Sequence, residues 1–151
     1  YEHREIGYNY RMSNIVAGIG RGQLLHLEEH LREKERIYRA YEKGLADLPV
    51  RMNPYLRESH PNFWLSAMTI EPGYSVTPEQ VRLALEAENI ESRPIWKPMH
   101  LQPVFTGREL ISMGDPVGED IFARGLCLPS DIKMTEEEQA QVITIIRGLF
   151  T

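Results

Sequence analysis

The chain has 151 residues, which is the length of a single domain able to bury a core of its own. A composition of 42% hydrophobic and 26% charged residues excludes disordered, collagen-like and coiled-coil chains. The net charge of −5 argues against a nucleic-acid partner, and the single cysteine, Cys127, excludes an internal disulfide.

The sequence carries no obvious targeting or membrane segment. No apolar run is long enough to cross a bilayer, and no signal peptide is visible, so we expect a cytoplasmic protein with no membrane partner. The chain opens at Tyr1 without an initiator methionine, which indicates a piece of a longer protein.

The first part of the chain predicts a long helix or a pair of helices. Ser13 is a suitable N-cap, because its hydroxyl can accept a hydrogen bond from an unpaired backbone N–H, and Pro49 must lie beyond the end. A helical element this long would span a domain surface or join two bodies. Its apolar residues recur at helical spacing: Ile15, Ile19, Leu24, Leu27, Leu31, Tyr38, Tyr41 and Leu45.

Three glycines lie close together early in this helix, at Gly18, Gly20 and Gly22. Glycine is costly inside a helix, so we interpret them as a site of close packing against another backbone. A dinucleotide-binding loop is rejected, because the order is G-x-G-x-G and no strand precedes it.

The second part predicts alternating strands and helices. Residues 63–70 and 90–95 are predicted strands, joined by a helix that Thr77 caps, and together they form a β-α-β unit. A short helix at 120–124 and a strand at 125–129 follow. Thr135 caps a last helix whose predicted buried residues are Val142, Ile145, Ile146 and Leu149. We therefore predict an α+β fold, with a long N-terminal helix followed by a small sheet covered by helices.

Several reactive residue types have ordinary explanations. The run from His26 to His30 fits the H-x-x-E-H pattern of some zinc peptidases, but a solvated helix face explains it and no third ligand stands out. We therefore predict no metal site. Cys127 lies between two leucines in a predicted strand, which favours a buried small side chain over a nucleophile. His60 precedes a proline in a polar loop and is expected to be exposed.

Two segments favour binding of an anion. Before the first helix, Asn9 and Arg11 could offer an amide donor and a guanidinium to a phosphate, aided by the helix N-terminus. A capped helix entry with two packed tyrosines, Tyr8 and Tyr10, explains this segment equally well.

The second segment spans residues 92–100. Its aromatic and cationic residues would form a rim suited to an anionic ligand that carries a flat base or a sugar ring. The alternative is a proline-stiffened loop whose Trp96 fills a core. The rim residues are Arg93, Trp96, Lys97 and His100.

These segments carry a family resemblance. The run GYNYRMSNI at residues 7–15, followed by Gly20 and Gln23-Leu24, resembles the DegT/StrS group of fold-type-I pyridoxal-phosphate enzymes, the nucleotide-sugar aminotransferases. Residues 91–94 with 96–103 are similar to the UDP-bacillosamine and perosamine branch of that group. Residues 125–130 are similar to the C-terminal end of the family. The resemblance covers essentially the whole chain in the right order.

The resemblance implies a fold and an activity. The chain would be the C-terminal portion of the enzyme, with an interface segment and connecting helix at 1–48 and a small domain at 49–151. Family members use pyridoxal 5'-phosphate to transfer an amino group, usually from glutamate, to a keto carbon of a nucleotide-linked sugar. Their Schiff-base lysine lies in the N-terminal domain, and none of the lysines here stands in that motif: Lys34, Lys43, Lys97 and Lys133. The chain alone is therefore expected to hold no catalytic residue and to be inactive.

Site residues follow from the same resemblance. In the family, the segment around Asn9 reaches across a homodimer to the cofactor phosphate of the neighbouring subunit. Asn9 is thus the leading cofactor-binding residue here, with Tyr10 and Arg11 beside it.

The second matched loop lines the sugar-nucleotide site in the family, so Arg93, Trp96 and His100 are the expected substrate-binding residues. The branch resemblance implies a UDP-linked 4-keto-6-deoxy-N-acetylhexosamine, on a route to surface polysaccharide or glycan. A non-catalytic binding or oligomerisation module remains the alternative function.

Overall fold

The computed structural model describes Glu5 and residues 7–151. Over these residues the chain forms five α-helices and four β-strands. The helices are α1 (Asn14–Leu24), α2 (Leu27–Gly44), α3 (Pro78–Ala87), α4 (Val117–Arg124) and α5 (Glu136–Gly148). The strands are β1 (Val50–Met52), β2 (Ser66–Ile70), β3 (Arg93–Pro94) and β4 (Gly125–Leu128). Two short 3₁₀ turns, Met99–Leu101 and Pro103–Phe105, follow β3.

Local capping chemistry fixes where three helices begin. The hydroxyls of Ser13, Thr77 and Thr135 accept hydrogen bonds from backbone N–H groups in the first turns of α1, α3 and α5. The long N-terminal helix is a helix pair, because the chain turns at residues 25–26 between α1 and α2. The sequence had left both possibilities open.

The four strands form one sheet in the order β1-β2-β4-β3, with every neighbouring pair antiparallel. The predicted β-α-β unit needs a correction here. β2 and β3 run in the same direction, since both are antiparallel to β4, but β4 lies between them. The strand predicted at 90–95 is also shorter, covering Arg93–Pro94 only, and the three-residue strand β1 was not predicted.

A layer of three helices covers one face of this sheet. Tyr41 of α2, Val81 of α3 and Ile146 of α5 are fully buried against Met68 of β2 and Leu126 of β4. In the last helix Val142 and Ile146 are buried as predicted, whereas Ile145 and Leu149 are only half-buried. The predicted α+β fold is confirmed.

The first helix contributes nothing to that core. No residue of α1 is buried, and Ile15 and Ile19 are exposed despite their helical spacing. A Cβ atom placed on Gly18, Gly20 or Gly22 would have nothing within 4 Å. Within the part of the chain described here, these glycines therefore pack against no other backbone, and close packing against a second chain stays a prediction.

Over the same residues, no helix combines the length and the apolar character that a bilayer crossing requires.

Candidate functional site

A groove with a volume of about 520 Å³ opens beside β3 and β4. Its walls are Trp64 and Leu65 before β2, residues 91–94 and Trp96 around β3, and residues 127–128 of β4. We call it the tryptophan groove. Two of the predicted substrate residues, Arg93 and Trp96, meet here, although the sequence had offered the filling of a core as an alternative for Trp96. That alternative is wrong, because Trp96 is 65% exposed.

Trp64 joins the groove from a distant segment and was not singled out from the sequence. Its ring centroid lies 6.0 Å from that of Trp96, with an angle of 36° between the two planes. Phe63 beside it is buried, while Trp64 is 62% exposed. Phe63 and Trp64 are both large aromatic residues outside β2, so the sequence carries no signal that separates the buried ring from the exposed one.

Both backbone polar groups of Trp64, the N–H and the carbonyl, form hydrogen bonds with side chains. The Trp64 N–H donates to Asn62 Oδ1 at 3.1 Å, and the Trp64 carbonyl accepts a hydrogen bond from Lys34 Nζ at 3.1 Å. Lys34 also donates to the carbonyl of Ser130. Its partial burial lowers the pKa of Lys34, and the charge of Asp131 opposes that shift.

Phe63 adopts a left-handed backbone conformation, with φ of +46°. Its ring packs against Tyr38 and Tyr55, with centroid distances of 4.7 and 5.4 Å. This conformation is unfavourable for a bulky residue, so the aromatic packing must hold it in place. The strand predicted from residue 63 is shorter in the structure: β2 begins at Ser66, where its pairing with Leu128 of β4 begins.

The two charged residues that line the groove, Arg93 and Glu91, form an exposed ion pair. Arg93 Nε donates to Glu91 Oε1 at 2.8 Å, and both side chains are more than 70% exposed. Such a pair contributes little to stability, so the guanidinium can exchange this partner for an anionic ligand at small cost.

His100, the third predicted substrate residue, is not among the residues that line the tryptophan groove. It lies on the first 3₁₀ turn, and its Nε2 is 2.8 Å from Glu119 Oε1 of α4. Both side chains are about one-third exposed. Lys97 is exposed and does not line the groove either.

The predicted cofactor residues lie apart from this groove, in the exposed segment before α1. The backbone N–H of Arg11 donates to Asn9 Oδ1 at 2.9 Å, which fixes the orientation of the Asn9 amide. Tyr8 and Tyr10 are 80% and 90% exposed and contact only each other among the described aromatic rings, with centroids 6.1 Å apart. The capped helix entry of the alternative interpretation is present, since Ser13 caps α1, but the two tyrosines are exposed to solvent.

The structure also places the other reactive side chains that the sequence analysis considered, namely the histidine pair, Cys127 and His60. The rings of His26 and His30 lie 6.1 Å apart, and His26 Nδ1 is 3.4 Å from Glu29 Oε2. No cluster of three or more potential metal ligands occurs among the residues that the structure describes. Cys127 is buried as predicted, and burial raises the pKa of its thiol, which disfavours the nucleophilic thiolate. His60 is exposed, also as predicted.

Solved structures share this architecture. A DegT/DnrJ/EryC1/StrS aminotransferase from Brucella abortus superimposes with a TM-score of 0.84 at 28% identity, covering 99% of this chain and 39% of the other. DesI, solved in the presence of its TDP-sugar product, gives a TM-score of 0.82 at 26% identity, with 93% and 36% covered. The fold is therefore that of one part of an aminotransferase of this kind.

The sequence match is more specific. A model of the DegT/DnrJ/EryC1/StrS aminotransferase family matches residues 1–147, and the chain belongs to that family. It is 44% identical over 153 residues to EpsN of Bacillus subtilis, by name a pyridoxal phosphate-dependent aminotransferase, with 99% of this chain and 39% of EpsN covered. It is 36% identical over 143 residues to GDP-perosamine synthase of Caulobacter vibrioides, with 93% and 38% covered. The chain thus spans about two-fifths of the length of these curated relatives.

Proposed function

We propose that this chain is the C-terminal part of a pyridoxal-phosphate-dependent aminotransferase that places an amino group on the keto carbon of a nucleotide-linked sugar. The match of nearly the whole chain to GDP-perosamine synthase and EpsN carries the proposal. The tryptophan groove supports it, because exposed indole rings beside an arginine suit a ligand with both flat rings and negative charge.

Within the family, we propose that the chain belongs to the UDP-bacillosamine and perosamine branch. The substrate we propose is a UDP-linked 4-keto-6-deoxy-N-acetylhexosamine, with glutamate as the amino donor, on a cytoplasmic route to surface polysaccharide or glycan. Within this assignment, residues 1–48 are the interface segment and connecting helix, and residues 49–151 are the small domain.

The residues before α1 fit the phosphate group of the cofactor. The hydrogen bond from the Arg11 N–H occupies Asn9 Oδ1, so the Asn9 amide nitrogen can point its two N–H donors elsewhere. The exposed guanidinium of Arg11 adds charge, and Tyr10 lies between them. We propose that Asn9 donates to a phosphate oxygen of the cofactor bound by the neighbouring subunit of a homodimer.

Pyridoxal phosphate supplies the chemistry of amino transfer when it is bound, and the protein supplies binding and orientation. In this chain Arg93 would hold the diphosphate and Trp96 would contact a flat ring of the substrate. His100 would approach the sugar or diphosphate through the ring nitrogen that Glu119 does not engage. These residues position the keto carbon and do not react with it.

The proposal predicts that residues 1–151 are inactive alone, since none of the four lysines matches the family's cofactor lysine. We expect borohydride reduction of this chain with pyridoxal phosphate, followed by peptide mass analysis, to give no adduct at a unique lysine. A stoichiometric adduct at Lys97 would overturn this expectation.

Activity is tested in the longer protein that carries this chain. With glutamate and the UDP-linked keto sugar, we expect one 2-oxoglutarate for each amino sugar formed, measured by coupled assay and mass spectrometry. Failure with UDP-, GDP- and dTDP-linked keto sugars alike would refute the aminotransferase proposal and favour a non-catalytic binding module.

A further inference from the structure

We propose that Trp64 and Trp96 together form a platform for the nucleobase of the substrate, and that Lys34 positions Trp64 within it. This inference rests on the proposed function, which names a sugar nucleotide but assigns no role to Trp64 or Lys34. Both indole rings are more than 60% exposed on one groove. Neighbouring large aromatic side chains that are exposed to solvent are typical of ligand-binding surfaces.

The geometry of the two rings decides how a base can bind. A flat ring inserted between them would need about 3.5 Å on each side, roughly 7 Å in total. The centroids of Trp64 and Trp96 are only 6.0 Å apart, and the planes are tilted by 36°. A base therefore stacks on the outer face of this tilted pair and is not clamped between the rings.

Trp64 is held in place before any ligand arrives. Its backbone N–H donates to Asn62, and its backbone carbonyl accepts a hydrogen bond from Lys34. The preceding Phe63 packs against Tyr38 and Tyr55. Lys34 connects this segment to the end of β4, because it also donates to the Ser130 carbonyl. Little ordering of the main chain is needed on binding, which favours affinity.

The charge beside the platform identifies the ligand class. Arg93 and Glu91 both line this groove as an exposed ion pair, so a diphosphate would have to take the place of the Glu91 carboxylate at the guanidinium. The groove volume of about 520 Å³ lies within the usual range for small-molecule sites. An aromatic platform next to an exchangeable guanidinium matches a nucleoside diphosphate, with the base on the indoles and the phosphates at Arg93.

The chain offers a direct readout. The sequence contains two tryptophans in total, and both lie on the platform, so tryptophan fluorescence, excited apart from that of the tyrosines, reports on this groove. We expect titration of the chain with UDP to quench the tryptophan emission, while pyrophosphate, which has no base, leaves it nearly unchanged.

Variants assign the effect to residues. Trp64→Leu should weaken UDP binding about 5- to 100-fold, the range found when one stacking partner is lost, with Trp96 left as the reporter. Trp64→Phe keeps a ring and should recover part of that affinity. Lys34→Met keeps the aliphatic stem without its donors, and it should weaken UDP binding while pyrophosphate binding, measured by isothermal titration calorimetry, stays the same. Tyr74→Leu removes an exposed aromatic ring outside the groove and should change nothing.

Three results would overturn the inference: no quenching by UDP, GDP or dTDP at millimolar concentration, equal quenching by pyrophosphate, or unchanged UDP affinity in a folded Trp64→Leu variant. Circular dichroism establishes that each variant is folded. These outcomes are separate from the proposed activity, since a chain that binds UDP on its tryptophans could still belong to a longer protein that transfers no amino group.

Discussion

Tyr41 shows how a single polar atom is accommodated in the core. The side chain is fully buried on α2, and its hydroxyl donates to the Pro129 carbonyl just after β4, at 2.9 Å. Gln139 makes a comparable link, since its buried amide donates to the Ile37 carbonyl at 2.7 Å. An unpaired buried carbonyl is costly, so these bonds fix which helix faces lie against the sheet.

Burial of Tyr41 predicts a loss of stability at alkaline pH. The low-dielectric surroundings raise the pKa of its phenol above the ordinary value of 10.0. The unfolded chain therefore releases this proton first, so the stabilisation is complete below pH 10.0 and is lost as the pH rises above it. Tyr41→Phe should cost about 1 kcal/mol at neutral pH and should reduce the alkaline loss.

Urea unfolding at neutral pH and at about pH 11 measures both effects. Tyr74→Phe, which changes an exposed phenol, is the matched control and should behave like the unmodified chain at both values. An alkaline loss of the same size in Tyr41→Phe would show that other groups cause it.

At the scale of elements, the starts of α1, α3 and α5 followed directly from the sequence, because a cap such as Ser13 or Thr135 acts within three residues. The short helix predicted at 120–124 has no side-chain cap and begins earlier, at Val117. The strand order did not follow from the sequence. β4 pairs with β2 across about sixty residues, for example at Cys127 and Ala67, and no local pattern encodes that contact. β1 follows Pro49 and has three residues, too few to show an alternation.

Some residues of the candidate site could be predicted from the sequence, and others could not. Arg93 and Trp96 are close in sequence, so their shared rim could be predicted, and they do line one groove. Trp64 enters from a segment that joins them only through the pairing of β2, β4 and β3. The partner of His100, Glu119, lies nineteen residues away on α4 and was equally out of reach.

Gly125 is where the close approach of two elements requires the absence of a side chain. A Cβ atom there would lie 2.5 Å from the backbone oxygen of Ile121 and 2.5 Å from Ile95 Cγ1. Because the backbone oxygen cannot rotate away, we expect Gly125→Ala to lower the free energy of unfolding by about 1–3 kcal/mol. Urea denaturation followed by circular dichroism measures the change.

Gly148→Ala is the control for this substitution, since a Cβ atom at the end of α5 would meet nothing within 4 Å. It should leave stability unchanged or raise it slightly. If the two variants proved equally stable, the contact at Gly125 would carry no weight.

At the scale of the whole molecule, the described part of the N-terminal segment leaves several large apolar side chains exposed. Tyr10, Met12, Ile15, Ile19 and Leu25 are all more than 60% exposed. A surface of this kind is typical of an interface. It supports the proposed homodimer, in which the segment that carries Asn9 leaves its own subunit and completes the neighbouring site.

That arrangement makes cofactor retention a property of the dimer. In the longer protein, Asn9→Ala should weaken pyridoxal phosphate binding by about 1.5–3 kcal/mol, the value of one hydrogen bond to a charged group. Equilibrium dialysis measures the loss, and thermal unfolding without cofactor should be unchanged because Asn9 is exposed. Asn14→Ala, an exposed amide at the start of α1, is the control; equal retention in both variants would remove Asn9 from the site.

The position of β4 inside the sheet has a consequence for biosynthesis. This strand is bonded on both sides, yet it is made after both of its neighbours, and α5 with Val142 and Ile146 is made later still. While the nascent chain leaves the ribosome, β3 has no β4 to pair with, and Met68 and Ile70 lack the part of their cover that α5 supplies. Translation that stops before residue 125 would therefore release a product with open strand edges and bare apolar side chains, the features that chaperones bind and proteases remove.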